Sequence, residues 1–135
     1  MQEVVGAVIV DSLIEPRRVL ATRRSRPEDL KGKWEFPGGK VEPGESADAA
    51  LIREVQEELD VTLLLGAELH PPKGEAWNIS DGLTLRLFEA EIFVGTMKLG
   101  ETHDEATWLS AEELENVDWL EVDHAALPTV ATLFV

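Results

Sequence analysis

Residues 46–59 constrain the fold of this chain more than any other stretch. They carry an apolar stripe and a set of glutamates, both at helical spacing. Leu51, Ile52, Val55 and Leu59 recur with the period of an amphipathic helix and predict one face packed on a sheet. Ser46 is placed to cap the first turn, and Asp48 lies where the helix dipole favours a negative charge. Asp60 and the β-branched pair Val61-Thr62 end the helix. At about 100° per residue, Glu54, Glu57 and Glu58 fall within an arc of roughly 100° beside the apolar stripe. The helix therefore has to bury one face and leave three carboxylates crowded along its edge.

Crowded carboxylates raise one another's pKa unless a positive charge sits among them. A solvated helix face in an acidic protein is the plain reading of such a pattern. The residues upstream add a second one. Gly38 and Gly39 let backbone approach an ion or ligand closely, since no Cβ intervenes, and a carbonyl there can join an oxygen-only shell. Hard divalent cations suit such a shell.

The rest of the chain predicts strands around this helix. Residues 4–10 form a nearly continuous apolar run, as in a strand buried on both faces. Residues 17–24 read as a second strand and 25–33 as a loop. Strands are expected over 61–69, 83–94 and 106–109, a capped helical turn over 110–114, and a last helix over 123–134 that contains Pro128. The pattern is a mixed α+β layer fold, expected to be one domain over residues 1–135.

Composition narrows the function. The chain has 12 Lys+Arg against 27 Asp+Glu, a formal net charge of −15. A nucleic-acid polymer or an anionic membrane needs a basic surface, so neither is an expected partner. Without cysteine there is no disulfide, thiol nucleophile or zinc–thiolate site. The first residues lack the basic and apolar segments of a signal peptide, and the expected location is cytoplasmic. No Asp-x-Asp-x-Asp-Gly loop supports a calcium sensor.

Gly39, five residues, Glu45, seven residues, then Arg53-Glu54-Val55-x-Glu57-Glu58 resembles the signature of the Nudix hydrolase family. Asp60 stands where that pattern usually has glycine at the helix exit; Asp tolerates the left-handed conformation better than most residues. Trp34-Glu35-Phe36-Pro37-Gly38-Gly39-Lys40, Thr22-Arg23-Arg24 and Val117-Asp118-Trp119-Leu120 extend the likeness to MutT-like nucleoside triphosphate pyrophosphohydrolases, including those preferring cytidine nucleotides. The resemblance implies an α/β/α sandwich with a mixed central sheet. It implies Mg²⁺, with Mn²⁺ as the alternative, held by Glu54, Glu57, Glu58 and the Gly39 carbonyl. Glu54 would also take a proton from the attacking water, and Arg53 would brace the site through Glu45 or a helix glutamate. A further acidic ligand is implied from the later loop, where Glu101, Asp104 and Glu105 compete and Glu101 is preferred; His103 is expected to be a loop residue. For the substrate it implies Arg24, Phe36, Lys40 and Asp123. Phe36 is equally a core candidate, Asp123 equally a cap of the last helix, and Trp77 and Trp119 fit the core better than a ligand. The expected reaction is hydrolysis of an 8-oxo-dGTP-like or CTP-like triphosphate to monophosphate and pyrophosphate, by a monomer or homodimer. A nucleoside diphosphate linked to another group, such as ADP-ribose, is the alternative substrate, and a non-catalytic binding module the alternative role.

Overall fold

The apolar run near the N-terminus becomes strand β1 (Gln2–Ile9) of a computed structural model that describes residues 2–135. Met1, the first residue of the expected domain span, lies outside the described residues. The elements that follow are β2 (Val19–Arg24), β3 (Trp34–Glu35), β4 (Gly38–Lys40), α1 (Ala47–Leu59), β5 (Thr62–Leu69), β6 (Trp77–Ser80), β7 (Leu83–Val94), β8 (His103–Leu109), a 3₁₀ turn (Ala111–Asn116) and α2 (Glu121–Ala131).

One sheet runs β4-β1-β7-β5, with β6 also paired to β7; a smaller sheet runs β3-β2-β8. β1 and β7 are parallel, and the other pairings are antiparallel, so the sheet is mixed. Side chains alternate between its two faces. From β1, Val5, Ala7 and Ile9 join Leu51, Val55 and Leu59 of α1 in one apolar cluster. Val8 points the other way, into a second cluster with Leu85 and Leu87 of β7 and Ala126, Leu127 and Val130 of α2. The two helices thus cover opposite faces, which is the expected mixed-sheet sandwich.

Helix α1 follows its local signals. Ser46 accepts from the Ala49 N–H at 3.1 Å. Asp60 closes the helix in the left-handed region (φ 59°), and its N–H bonds back to the Gln56 carbonyl. Ile52 is only half-buried, and Ala50 takes its place inside.

Several boundaries differ from expectation, and three short strands are not among those expected. β2 starts at Val19 because the Arg17 and Arg18 N–H groups are taken by Asp11 Oδ1. β3, β4 and β6 are too short for periodicity to reveal. β8 starts at His103 rather than Ala106, so His103 is a strand residue and not the expected loop residue. Helix α2 starts at Glu121, with Leu120 preceding it and no side-chain cap; Asp123 lies inside the first turn and does not cap it. Pro128 sits within α2, tolerated because its neighbours Ala126, Leu127 and Val130 are buried.

The α1 face is the tighter test of this packing. Leu51 is fully buried between α1 and the sheet. Leu51→Ala is expected to lower stability by about 2–5 kcal/mol, read as a fall in the urea midpoint with an unchanged slope.

Candidate active site

Strand β4 brings backbone against the glutamate edge of α1. It pairs with β1 in the register Val5↔Gly39 and Gly6↔Gly38. At Gly38 a Cβ would run into the Val5 carbonyl, and at Gly39 into the Glu54 carboxylate. Gly38 therefore needs glycine for space, because backbone blocks a Cβ there, whereas at Gly39 the obstacle is the movable end of the Glu54 side chain, which lies directly over the turn. Glu58 reaches the same turn, where its Oε1 accepts from the Gly38 N–H at 3.1 Å.

Arg53 ties the connecting loop to the helix. Its Nε and Nη2 donate to the two Glu45 oxygens at 2.7 and 2.9 Å, a bidentate pair. Its Nη1 donates to Glu54 Oε1 at 2.9 Å, and Nη2 also donates to the Lys40 carbonyl at 3.2 Å. The guanidinium holds the Glu45 carboxyl down at about 2 and is itself raised by Glu45 and then Glu54. Burial raises Glu54 against the pull of Arg53. Glu58 is pushed up to about 8, first by burial, then by the charges of Glu35 and Glu54. Glu57 stays exposed at the outer edge. Arg53 reaches Glu54 at 2.9 Å and Glu57 at 3.5 Å, and Glu54 and Glu58 both face the Gly38-Gly39 turn. Among the described residues, however, the acidic and histidine donor atoms that converge within 4.8 Å are those of Glu35, Glu58 and His103, not those of Glu54, Glu57 and Glu58. The carboxylate oxygens of Glu54 and Glu58 beside the turn are donors of the kind that fits a hard divalent cation.

Sequence reasoning did not single out Glu35. Its Oε2 accepts from Arg24 Nη1 at 3.1 Å and from His103 Nε2 at 2.7 Å. Glu35, Glu58 and His103 offer polar atoms within 4.8 Å of one another. Their sequence separations give no local pattern that would announce the cluster. Glu101 is not brought to it: its side chain is exposed and faces Arg26 at 3.4 Å. Asp104 and Glu105 pair with Arg23 instead.

A cleft of about 800 Å³ opens beside this cluster. Its lining mixes charged Arg24, Glu35 and Lys40 with the Gly39 backbone, apolar Phe36, Trp77, Leu120 and Val122, and Asp123. Phe36 belongs both to this wall and to the core, and its ring meets Trp119 at 4.7 Å between centroids. Trp119 and Trp77 are buried, as expected of core residues. Asp123 is 4% exposed, and its Oδ1 accepts from the Phe36 N–H at 3.2 Å.

Burial pushes the Asp123 carboxyl up to about 7, with the Phe36 N–H opposing and Glu35 adding to the rise. The folded value lies above the unfolded one of 3.8, so folding favours the protonated form. That contribution is full below about pH 4 and is lost as pH rises through about 7. Asp123→Asn removes it. Urea titrations at pH 5 and pH 8 are expected to show the parent losing a few kcal/mol more than this variant.

Comparisons with known proteins identify the family and fold. The family model of the NUDIX domain matches residues 2–132. A Mycobacterium tuberculosis protein provisionally named 8-oxo-dGTP diphosphatase 2 is 33% identical over 127 residues, covering 92% of this chain and 86% of that one. The CTP pyrophosphohydrolase of Escherichia coli K12 is 34% identical over 122 residues, covering 84% and 78%. A solved structure from work on MutT of Aliivibrio salmonicida and Vibrio cholerae superposes with a TM-score of 0.76 at 26% identity, covering 98% of both chains. The chain belongs to the Nudix hydrolase family.

Proposed function

We propose that this protein is a Mg²⁺-dependent pyrophosphohydrolase of nucleoside triphosphates, with oxidised guanine (8-oxo-dGTP) and cytidine nucleotides (CTP, dCTP) as its substrates. One observation carries the reading: the Gly38-Gly39 turn that faces Glu54 and Glu58 also lines a cleft whose wall joins charged Arg24 and Lys40 to apolar Phe36, Trp77 and Val122. The charged groups suit a metal-bound polyphosphate, the apolar ones a nucleobase. The likeness to relatives named for 8-oxo-dGTP and CTP supports the choice of bases.

Glu54, Glu57, Glu58 and the Gly39 carbonyl would hold the ion. Bound there, Mg²⁺ neutralises phosphate charge and makes a coordinated water acidic. The carboxylate of Glu54 takes the proton as water oxygen attacks a bridging phosphorus. The phosphoanhydride bond breaks, and pyrophosphate leaves from the monophosphate. Arg53 keeps Glu54 in place through the 2.9 Å contact, and its bidentate hold on Glu45 fixes the loop. Lys40, exposed at the cleft wall, faces the phosphate charge. Local charges of this kind are needed, because a molecule at −15 repels a triphosphate at long range.

Asp123 accounts for both bases. Ionised, its carboxylate accepts from an exocyclic amino group such as that of cytosine; protonated, it donates to a keto oxygen of an oxidised guanine. With the group pushed up to about 7, both forms are accessible near neutrality.

The decisive assay offers a panel of normal and oxidised triphosphates, with ADP-ribose alongside, and follows the product. Pyrophosphate is expected with Mg²⁺; sugar-phosphate release from ADP-ribose as the main activity would overturn the triphosphate assignment. Glu57→Gln is expected to lower turnover by about two orders of magnitude or more with the fold intact by circular dichroism. Asp123→Asn fixes a neutral side chain and is expected to change the ratio of cytidine to oxidised guanine turnover at pH 8. An unchanged ratio would return Asp123 to a packing role.

A further inference from the structure

His103 has no part in the chemistry just described, yet its imidazole is fully enclosed beside the cleft. Its side chain is 0% exposed. Nε2 lies 2.7 Å from Glu35 Oε2, while Nδ1 has no hydrogen-bond partner among the described residues. A carboxylate can only accept, so Nε2 carries the proton in this pair. An N–H at Nδ1 would be a second donor, buried and unpaired, at a cost of about 1–3 kcal/mol. The ring is therefore best described as the Nε2–H tautomer, with a bare lone pair at Nδ1.

The same Glu35 oxygen also accepts from Arg24 Nη1 at 3.1 Å, and the Arg24 Nε donates to the Arg26 carbonyl at 2.9 Å. Arg24 and Glu35 both line the cleft; His103 stands behind them. Strand geometry explains how it gets there. β2 and β8 pair Arg23 with Glu105 and then Arg24 with His103, so one residue, Asp104, is skipped. Such a bulge re-aims the side chains beside it. Here it sends the imidazole inward, and Asp104 goes out to Arg23 at 2.7 Å.

We propose that His103 is a positioning residue, which holds the Glu35 carboxylate on Arg24 and so fixes the Arg24 guanidinium at the wall of the nucleotide cleft. A free Glu35 carboxylate can rotate about its side-chain torsions and take Arg24 with it. Anchored from behind by the ring N–H, it has one orientation. Arg24 is then pre-organised, and binding does not have to order it. The kinetic consequence rests on the pyrophosphohydrolase reading; the tautomer and its partner do not.

The test uses the full chain with His103→Ala and His103→Gln. Gln can place an amide N–H near the Nε2 position, whereas Ala cannot. His103→Ala is expected to raise KM for the preferred triphosphate about tenfold, with kcat changed less than about threefold; His103→Gln is expected to recover most of the loss. A purely structural role would lower the melting temperature and the active fraction but leave KM alone. A Gln variant as impaired in KM as the Ala variant, or a loss confined to kcat, overturns the proposal. A second arm reads the ring itself. Nitrogen-15 NMR of the parent is expected to show the Nε2–H tautomer, and Glu35→Gln is expected to shift that N–H. If His103 instead shows the Nδ1–H form, or its N–H ignores Glu35→Gln, the proposal fails even where triphosphates are hydrolysed. If the ring behaves as expected but no triphosphate is cleaved, the positioning of Arg24 is read from the binding of a non-hydrolysable triphosphate. About tenfold weaker binding to His103→Ala supports the proposal, and unchanged binding overturns it.

Discussion

The guanidinium of Arg53 sits among Glu42, Glu45, Glu54 and Glu57, and the rest of the arrangement depends on it. It grips both oxygens of Glu45, one oxygen of Glu54 and the carbonyl of Lys40. Those contacts join the loop, the helix and the edge strand in one bonded unit. Arginine suits the position because its rigid fork satisfies several oxygens at once, which a lysine point charge does not. Remove it, and the repulsion among Glu42, Glu45, Glu54 and Glu57 acts on a turn packed at Gly38 directly against the backbone of β1.

The remaining charge is graded along the helix. Glu57 is open to solvent, Glu54 is half-buried and paired, and Glu58 is the most enclosed, bonded to the Gly38 N–H. Burial raises Glu54 and pushes Glu58 up to about 8, so the ionised form becomes less favoured toward the interior, and a divalent cation bound there would favour it again. Val55 and Leu59 go into the core, and Glu58, next to Leu59, is carried in with them.

Much of this was legible in the sequence. The helix announced itself by the period of Leu51, Val55 and Leu59, by the Ser46 cap and by Asp60, whose left-handed exit follows from its side chain's tolerance of that region. β1 was legible because a strand covered on both faces must be apolar at nearly every position. What stayed hidden depends on tertiary register. His103 sits in a run of polar residues, and only the skipped pairing at Arg23/Arg24 decides that it, and not Asp104, turns inward. The same bulge is why the acid-rich segment around Glu101 could not be resolved by counting. Glu35 belonged to a motif already noticed, but its partners lie 11 and 68 residues away. The start of α2 carries no side-chain cap, so nothing local marked it.

Two backbone N–H groups, separated only by Pro37, are each accepted by an enclosed acid: Phe36 by Asp123 from α2, and Gly38 by Glu58 from α1. Pro37 cannot rotate freely about its own φ, and its carbonyl is tied to the Ala7 N–H at 2.8 Å. The tripeptide therefore acts as a rigid gauge between the two layers that sandwich the sheet. The two N–H groups that meet Asp123 and Glu58 are spaced by the covalent geometry of one tripeptide rather than by side-chain packing.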